Sequence, residues 1–332
     1  MKYVLAPLAG FTDAPFRRLC FEGGADLSYT EMVSAAGLAH GSSPTRHLME
    51  VMPGEGPVAL QLFGSKETEL AYSVKEVIPT VTQHLSLNAY HFKFTEVNLN
   101  AGCPMTKVTR EGAGAKLVEN PQKIYRLLKA MTENTDLPVT LKTRLGPHPK
   151  STLIFEILDA AQEAGAKGLI VHARYTSQMH GGEVHLDTLA EVVRRARIPV
   201  TGNGSVVDAK TVAEMAKTGV DAIMIGRAAL ANPAIFRHLK GIPVTTPVAG
   251  DGDGTVCRHL NYLLQFREQL AARYPTDHIP SVDGYASVKM HTHLFRYFNG
   301  RPGAAALRAR LNTVRTLAEI ESIIAEQEGR GL

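Results

Sequence analysis

The sequence predicts a (β/α)8 barrel (TIM barrel) over residues 1–240, followed by a small helical bundle over residues 241–332. Three observations lead there. Eight short, β-branched apolar runs alternate with amphipathic helical stretches up to residue 240, the order expected of eight β/α units. A segment rich in Gly, Pro and Asp, residues 241–254, then interrupts the alternation, and only helical periodicity resumes after it, at Cys257–Arg273 and Ser287–Phe298. The rival α/β architecture, a doubly wound sheet, requires a glycine phosphate fingerprint directly after the first strand, and none stands there. The nearest lookalike, Gly112-Ala113-Gly114, follows a long loop and reads as chain flexibility.

Taken in order, every predicted strand but the first ends on polar or glycine residues. Tyr3–Ala6 leads to Pro7, Leu8 and Ala9, and Leu27–Thr30 to Glu31. Val58–Leu62 carries Gln61 near its end. Phe94–Leu99 carries Asn98 and opens through Asn100 into the Gly102-Cys103-Pro104 turn, which neither strand nor helix can absorb. Val139–Lys142 ends on Lys142, with Arg144 just beyond, and Gly168–Val171 delivers His172 and Arg174. Val200–Thr201 precedes Asn203-Gly204-Ser205, and Ala222–Ile225 precedes Gly226-Arg227. The intervening helices are read at Glu67–Val77, Pro121–Met131, Leu153–Ala164, Leu186–Arg195 and Asp208–Lys217.

Composition narrows the class. With 44% hydrophobic and 20% charged residues, the 332-residue chain is an ordinary globular sequence. Its three cysteines, Cys20, Cys103 and Cys257, have no paired spacing, so neither a disulfide framework nor a metal site is expected. No apolar run approaches membrane length, and the opening Met-Lys-Tyr-Val-Leu-Ala-Pro is no signal peptide, so a cytoplasmic location without membrane contact is expected. A net charge of +4 is small, but its distribution is uneven. From Gly284 to Ala318 lie Lys289, Arg296, Arg301, Arg308, Arg310 and Arg315 without a single carboxylate. One-signed charge on a helical segment is the footprint of a polyanion partner.

Chemistry in such barrels occupies the C-terminal strand ends. Singly, Gln61 or Asn203 reads as a turn cap, Lys142 as a surface cation and His172 as a core histidine. Together these strand endings describe a ring of donors suited to a planar, carbonyl-rich, anionic ligand. The glycine turns after the seventh and eighth strands, with Arg227, suit a phosphate. Lys142 sets a cation beside an electron-rich ring. The implied cofactor is flavin mononucleotide (FMN), held by Pro7, Leu8, Ala9, Gln61, Lys142, His172, Asn203, Gly204, Ser205, Gly226 and Arg227. Cys103, on its exposed turn, is the candidate catalytic residue.

These motifs resemble the bacterial tRNA-dihydrouridine synthases. Ala6-Pro7-Leu8-Ala9-Gly10-Phe11-Thr12-Asp13 is similar to that family's opening, and Asn100-Ala101-Gly102-Cys103-Pro104 to its catalytic loop. Gln61-Leu62, Lys142-Thr143-Arg144-Leu145-Gly146, His172-Ala173-Arg174, Asn203-Gly204 and Gly226-Arg227 follow in the family's order. Gly300-Arg301-Pro302-Gly303-Ala304 resembles its tRNA-binding helical domain. The resemblance implies reduction of the C5=C6 bond of tRNA uridines with NADPH, or NADH, as reductant, Cys103 as proton donor, and no protein partner. Expected substrate contacts are Glu31, Asn98, Asn100, Lys107, Arg110, Arg144 and Arg174 on the barrel, and Lys289, Arg296, Arg301, Arg308 and Arg310 on the helical bundle. Asn98, where the family usually has aspartate, departs from the pattern, as do Ser205, Tyr175 and His180-Gly181-Gly182. A flavin reductase of a free pyrimidine, a tRNA-binding chaperone and a flavin-free phosphate-binding isomerase are the alternatives.

Overall fold

A computed structural model describes residues 1–86, 92–242, 254–300 and 303–328. Eight parallel strands close into a barrel in sequence order: β1 Lys2–Leu5, β2 Leu27–Ser34, β3 Val58–Phe63, β4 Val97–Ala101, β5 Val139–Arg144, β6 Leu169–His172, β7 Val200–Asn203 and β8 Ala222–Ile225. β8 closes the ring by pairing Lys2 with Ala222 and Leu5 with Ile225. The strands read as nearly unbroken apolar runs because a parallel barrel buries both faces of each. The barrel's interior floor packs Val4, Ala6, Tyr29, Ala59, Ile170, Ala222 and Met224.

Local chemistry fixes the flanking helices. Asn120 caps Pro121–Thr132 by accepting the Lys123 N–H at 2.9 Å, with Pro121 at the first helical position, where its missing N–H costs nothing. Asp208 and Thr211 form a reciprocal capping box that starts Ala209–Ala216.

Most strands end one or two residues from where the sequence expects, and three elements differ in ways that matter to the site or have a clear physical reason. The single helix expected at Glu67–Val77 continues to Ser86 through a π turn at Ser73–Val77. Pro79 has no N–H to give Lys75, and the wider turn lets the Ile78 N–H reach back to the Ser73 carbonyl. β2 runs on to Ser34, with a register shift between Tyr29 and Met32. Glu31 therefore lies buried within the strand, not at its end. At the shift the Thr30 hydroxyl substitutes for a backbone acceptor, taking the Gln61 N–H at 3.0 Å. β4 begins at Val97 and extends to Ala101, so Asn98 and Asn100 are ladder residues, opposite Thr140 and Lys142.

The chain divides into two compact units. One comprises Met1–Leu8 and Asp26–Gly226; the other comprises Ala9–Ala25 and Arg227–Leu332. The sequence expects a division at residue 240, whereas the packing groups 9–25 and 227–240 with the C-terminal helices. Those helices are Thr255–Arg273, Val282–Tyr297, Ala304–Leu311 and Leu317–Glu328. Most of the 241–254 linker, and Arg301, lie outside the described residues. No helix among the described residues is long and apolar enough to cross a membrane.

Candidate active site

Strand alternation turns Gln61, Asn98 and Asn100 into the barrel, where they form a directional chain of hydrogen bonds. The Asn100 amide donates to Gln61 Oε1 at 2.8 Å, and Gln61 Nε2 donates to Asn98 Oδ1 at 2.7 Å. Asn98 Nδ2 donates to Thr140 Oγ1 at 2.8 Å, and that hydroxyl donates to Glu96 Oε1 at 2.8 Å. The Tyr29 hydroxyl also donates to Glu96. Every donor thus points toward one carboxylate. Burial pushes the Glu96 carboxyl up, and the two hydroxyls pull it back.

The chain's upper end holds the Cys103 turn. Asn100 Oδ1 accepts the backbone N–H of Gly102 at 3.1 Å and of Cys103 at 3.0 Å. Arg144 grips the other side, donating from Nε to the Gly102 carbonyl at 2.8 Å and from Nη1 to the Tyr175 carbonyl at 3.2 Å. The Ala115 N–H donates to the Cys103 carbonyl at 2.9 Å. Gly114, at φ +58°, is required there, because a Cβ would stand 2.6 Å from that carbonyl oxygen. The Gly112-Ala113-Gly114 segment, read from sequence as slack, is therefore a close-approach device. Burial raises the Cys103 thiol, more than the nearby Lys142 and Arg144 charges lower it, so the sulfur carries its proton at neutral pH.

Across the barrel mouth, Lys142 Nζ donates to Asn203 Oδ1 at 3.3 Å, while Asn203 Nδ2 donates to the Met224 carbonyl at 2.8 Å. Burial and the Arg144 charge lower the Lys142 ammonium to about 8. Arg174 spends its guanidinium on the Gly181 and Gly182 carbonyls, on Ser205 Oγ at 2.6 Å and on His172 Nε2 at 3.2 Å. An arginine only donates, so the His172 proton sits on Nδ1. Burial and three neighbouring cations keep that ring neutral. Gly204, at φ +131°, leaves no room for a Cβ, which would meet Val184 at 2.9 Å and the His172 ring at 3.1 Å.

The structure thus brings Gln61, Asn98, Asn100, Lys142, Arg144, His172, Arg174, Asn203, Gly204 and Ser205 together at the C-terminal strand ends, around the Cys103 turn. It also shows what several of these residues touch and where the remaining ones stand. Asn98 is fully buried, with both ends of its amide engaged, so its observed role is to brace the turn. Arg144 and Arg174 are buried and fasten loops through backbone carbonyls. Pro7 and Leu8 follow β1 half-buried, Gly226 follows β8, and Lys107 and Arg110 are exposed on the short helix Thr106–Arg110. Ala9 and Arg227, both exposed, belong to the second unit. Sequence reasoning missed Tyr29, Thr30, Glu96, Thr140 and Gly114; a buried acid followed two residues later by an inward amide was the available signal.

On the helical unit, Arg296 and Arg308 are exposed. Arg310 donates twice to Glu326, at 2.6 and 2.8 Å, so a carboxylate from the last helix answers part of the one-signed stretch. Lys289 pairs with Asp13 at 3.3 Å and is not a freely presented cation.

A family model described as dihydrouridine synthase (Dus) matches residues 4–328. The chain is 35% identical over 240 residues to tRNA-dihydrouridine synthase B of Klebsiella pneumoniae, covering 72% of this chain and 71% of that protein. The protein of the same name from Escherichia coli K12 is 34% identical over 240 residues, and that from Salmonella typhimurium 33%, each with the same coverage.

Proposed function

The chain belongs to the dihydrouridine synthase family, and from that membership we propose that it reduces the C5=C6 bond of particular uridines in tRNA, in the cytoplasm, with FMN as cofactor and NADPH as reductant. The observation that carries the mechanism is the Cys103 turn, clamped by Asn100 and Arg144 with its thiol protonated.

The residues present fit a flavin mononucleotide. Among the described residues the Lys142 ammonium has a single acceptor, Asn203 Oδ1, which leaves N–H directions for a ligand's carbonyl or ring nitrogen. Gln61, His172, Asn203 and the Gly204 backbone line the same strand ends, and Ser205 and Gly226 follow them with Arg227 next along the chain. Bound and reduced, FMN supplies a hydride.

The C5=C6 bond of uracil is conjugated to the C4 carbonyl, so hydride arriving at C6 leaves negative charge on C5 and O4. Cys103 Sγ gives its proton to C5, and the thiolate regains one from solvent. Lys142 and Arg144 steady that thiolate while it lasts. Positioned proton donation is worth on the order of 10²–10⁴-fold in rate. Asn100 Oδ1 orients the turn by accepting two of its backbone N–H groups, and the target base must be flipped out of the tRNA to reach it. Glu31, Lys107 and Arg110 remain candidates for uridine and phosphate contact. Residues 1–240 are proposed to carry the chemistry and residues 241–332 to grip tRNA, through Arg296, Arg301 and Arg308.

The test is to incubate the purified protein and NADPH with tRNA from a strain lacking dihydrouridine, and to count dihydrouridine by nucleoside analysis. New dihydrouridine at discrete positions supports the reading. Turnover of free uracil or orotate, with tRNA untouched, would replace it with a free-pyrimidine reductase.

A further inference from the structure

The helical unit contains a second group of buried polar side chains with no part in the proposed chemistry. Asp13 caps the helix Ala14–Glu22, His259 lies on Thr255–Arg273 and His293 on Val282–Tyr297. One donor atom from each lies within 4.8 Å of the others. Both histidines are 0% exposed and Asp13 is 6% exposed.

Their hydrogen bonding is incomplete. His259 Nδ1 meets the Tyr297 hydroxyl at 2.9 Å, but its Nε2 has no partner among the described residues. Neither ring nitrogen of His293 has one. Asp13 Oδ1 accepts the Phe16 N–H at 3.2 Å, and Oδ2 faces the Lys289 ammonium at 3.3 Å. The surroundings are apolar: Phe11 stands edge-on to His293 at 5.3 Å, and Phe16 lies 5.0 Å from His293 and 5.7 Å from His259. A neutral imidazole always carries one N–H and one lone pair, and native interiors rarely leave both unanswered. Burial keeps both rings neutral, the form in which a histidine ligates.

We propose that Asp13, His259 and His293 form a structural site for one divalent transition-metal ion, zinc(II) or a borderline relative. Two imidazole nitrogens and one carboxylate oxygen are a donor set for such ions, whereas calcium and magnesium select oxygen. The Tyr297 hydroxyl on Nδ1 directs Nε2 of His259 inward, the usual outer-shell support for a histidine ligand. Asp13 keeps its capping role through Oδ1 and offers Oδ2. Lys289 is the competitor, since its ammonium already neutralises that oxygen. Its side chain is 27% exposed and long enough to swing into water when a metal arrives. The ligands come from residues 13, 259 and 293, so the ion would cross-link three stretches that only folding brings together. The sequence expectation of no metal rested on cysteine spacing, which is blind to ligands this far apart.

The experiment uses the full-length flavin-loaded protein, stripped with a chelator and titrated with cobalt(II) and then zinc(II) under equilibrium dialysis. One equivalent per chain, a ligand-field band beyond the flavin absorption that zinc abolishes, and a raised Tm in the zinc form are expected. His259→Gln and His293→Gln should each lose the band, Tyr297→Phe should weaken cobalt binding by about 10- to 100-fold, and Lys289→Met should tighten it. Native helical content by circular dichroism and a cooperative unfolding transition verify that each variant is folded. Failure of the native protein to take up a stoichiometric metal overturns the proposal, whatever the variants do, and leaves a bridging water as the occupant. Equal uptake by native protein and a folded His259→Gln, His293→Gln double variant also overturns it.

Discussion

Two buried polar clusters, one in each unit, have been finished differently. In the barrel, Gln61, Asn98, Asn100, Thr140, Tyr29 and Glu96 answer one another donor for acceptor, and the chain ends on the backbone of Cys103. In the helical unit, His259 and His293 are as deeply buried, yet three of their four ring nitrogens lack partners among the described residues. A closed network fixes geometry and needs nothing further. An open one holds a place for something that arrives. Low dielectric makes the distinction costly either way, because each buried polar group is strongly stabilised when paired and strongly penalised when not.

The largest effect is expected at the output of the closed network. Cys103→Ala should slow dihydrouridine formation by about 10²–10⁴-fold, while flavin reduction by NADPH keeps its native rate in stopped-flow absorbance. Equal losses in the two half-reactions would mean that the thiol shapes the flavin site and supplies no proton.

Breaking the network in the middle comes next. Asn98→Leu orphans the Gln61 Nε2 donor, and Thr140 loses the amide that donates to it, which should cost about 1–3 kcal/mol per orphaned group. Urea unfolding reads this directly, and native stability in the variant would show that the chain is incidental. Asn98→Asp discriminates further. An aspartate can accept from Gln61 but cannot donate to Thr140, so the Thr140 hydroxyl would be shared between two buried carboxylates. That conflict accounts for the amide at position 98 in this chain, where Glu96 is already the terminal acceptor.

A pH series probes the mouth of the barrel. Lys142 is lowered to about 8 from an ordinary value of 10.5. Between those values the unfolded chain binds a proton that the folded one does not, so this group makes stability rise with pH across that window. Ligand binding should run the opposite way. FMN affinity, which draws on the ammonium, should fall as pH passes about 8, and Lys142→Met should be weaker throughout with a flat profile. A native profile unchanged to pH 10 would remove Lys142 from the flavin site.

Much of this was legible in the sequence because strand periodicity and strand-end chemistry are local signals. All eight strands occur where β-branched runs place them, and β8 matches at both ends. β4 ends later than expected because Asn100 looks like a loop residue, and only its partners inside the barrel make it a strand residue. Arg144 and Arg174 read from sequence as ligand cations, and the backbone carbonyls and the Ser205 hydroxyl that accept from them are partners that no local signal shows. The Asp13, His259 and His293 group lies beyond any local signal.

A smaller effect separates the exposed cations of the helical unit from the paired ones. Arg296→Gln with Arg308→Gln should weaken tRNA binding and flatten its salt dependence by nearly one log–log unit for each phosphate no longer neutralised. Arg310→Gln should change the slope less, because Glu326 already neutralises that guanidinium. Filter binding across a salt series measures both, and equal slopes for the two variants would deny the Glu326 pairing any influence in solution.

The smallest effect is the sharpest test of the comparison. In chelator-stripped protein, His293→Leu removes two unanswered ring nitrogens and puts a hydrocarbon of similar size against Phe11 and Phe16. A near-isosteric apolar replacement at such a site should move stability by less than about 1.5 kcal/mol, in either direction. Asn98→Leu, equally buried, should cost more, because its partners stay behind. Adding zinc should then widen the gap between native protein and His293→Leu while leaving Asn98→Leu at its original offset. If His293→Leu is instead as damaging as Asn98→Leu without any metal, His293 has partners of its own, and the helical cluster is closed like the barrel's.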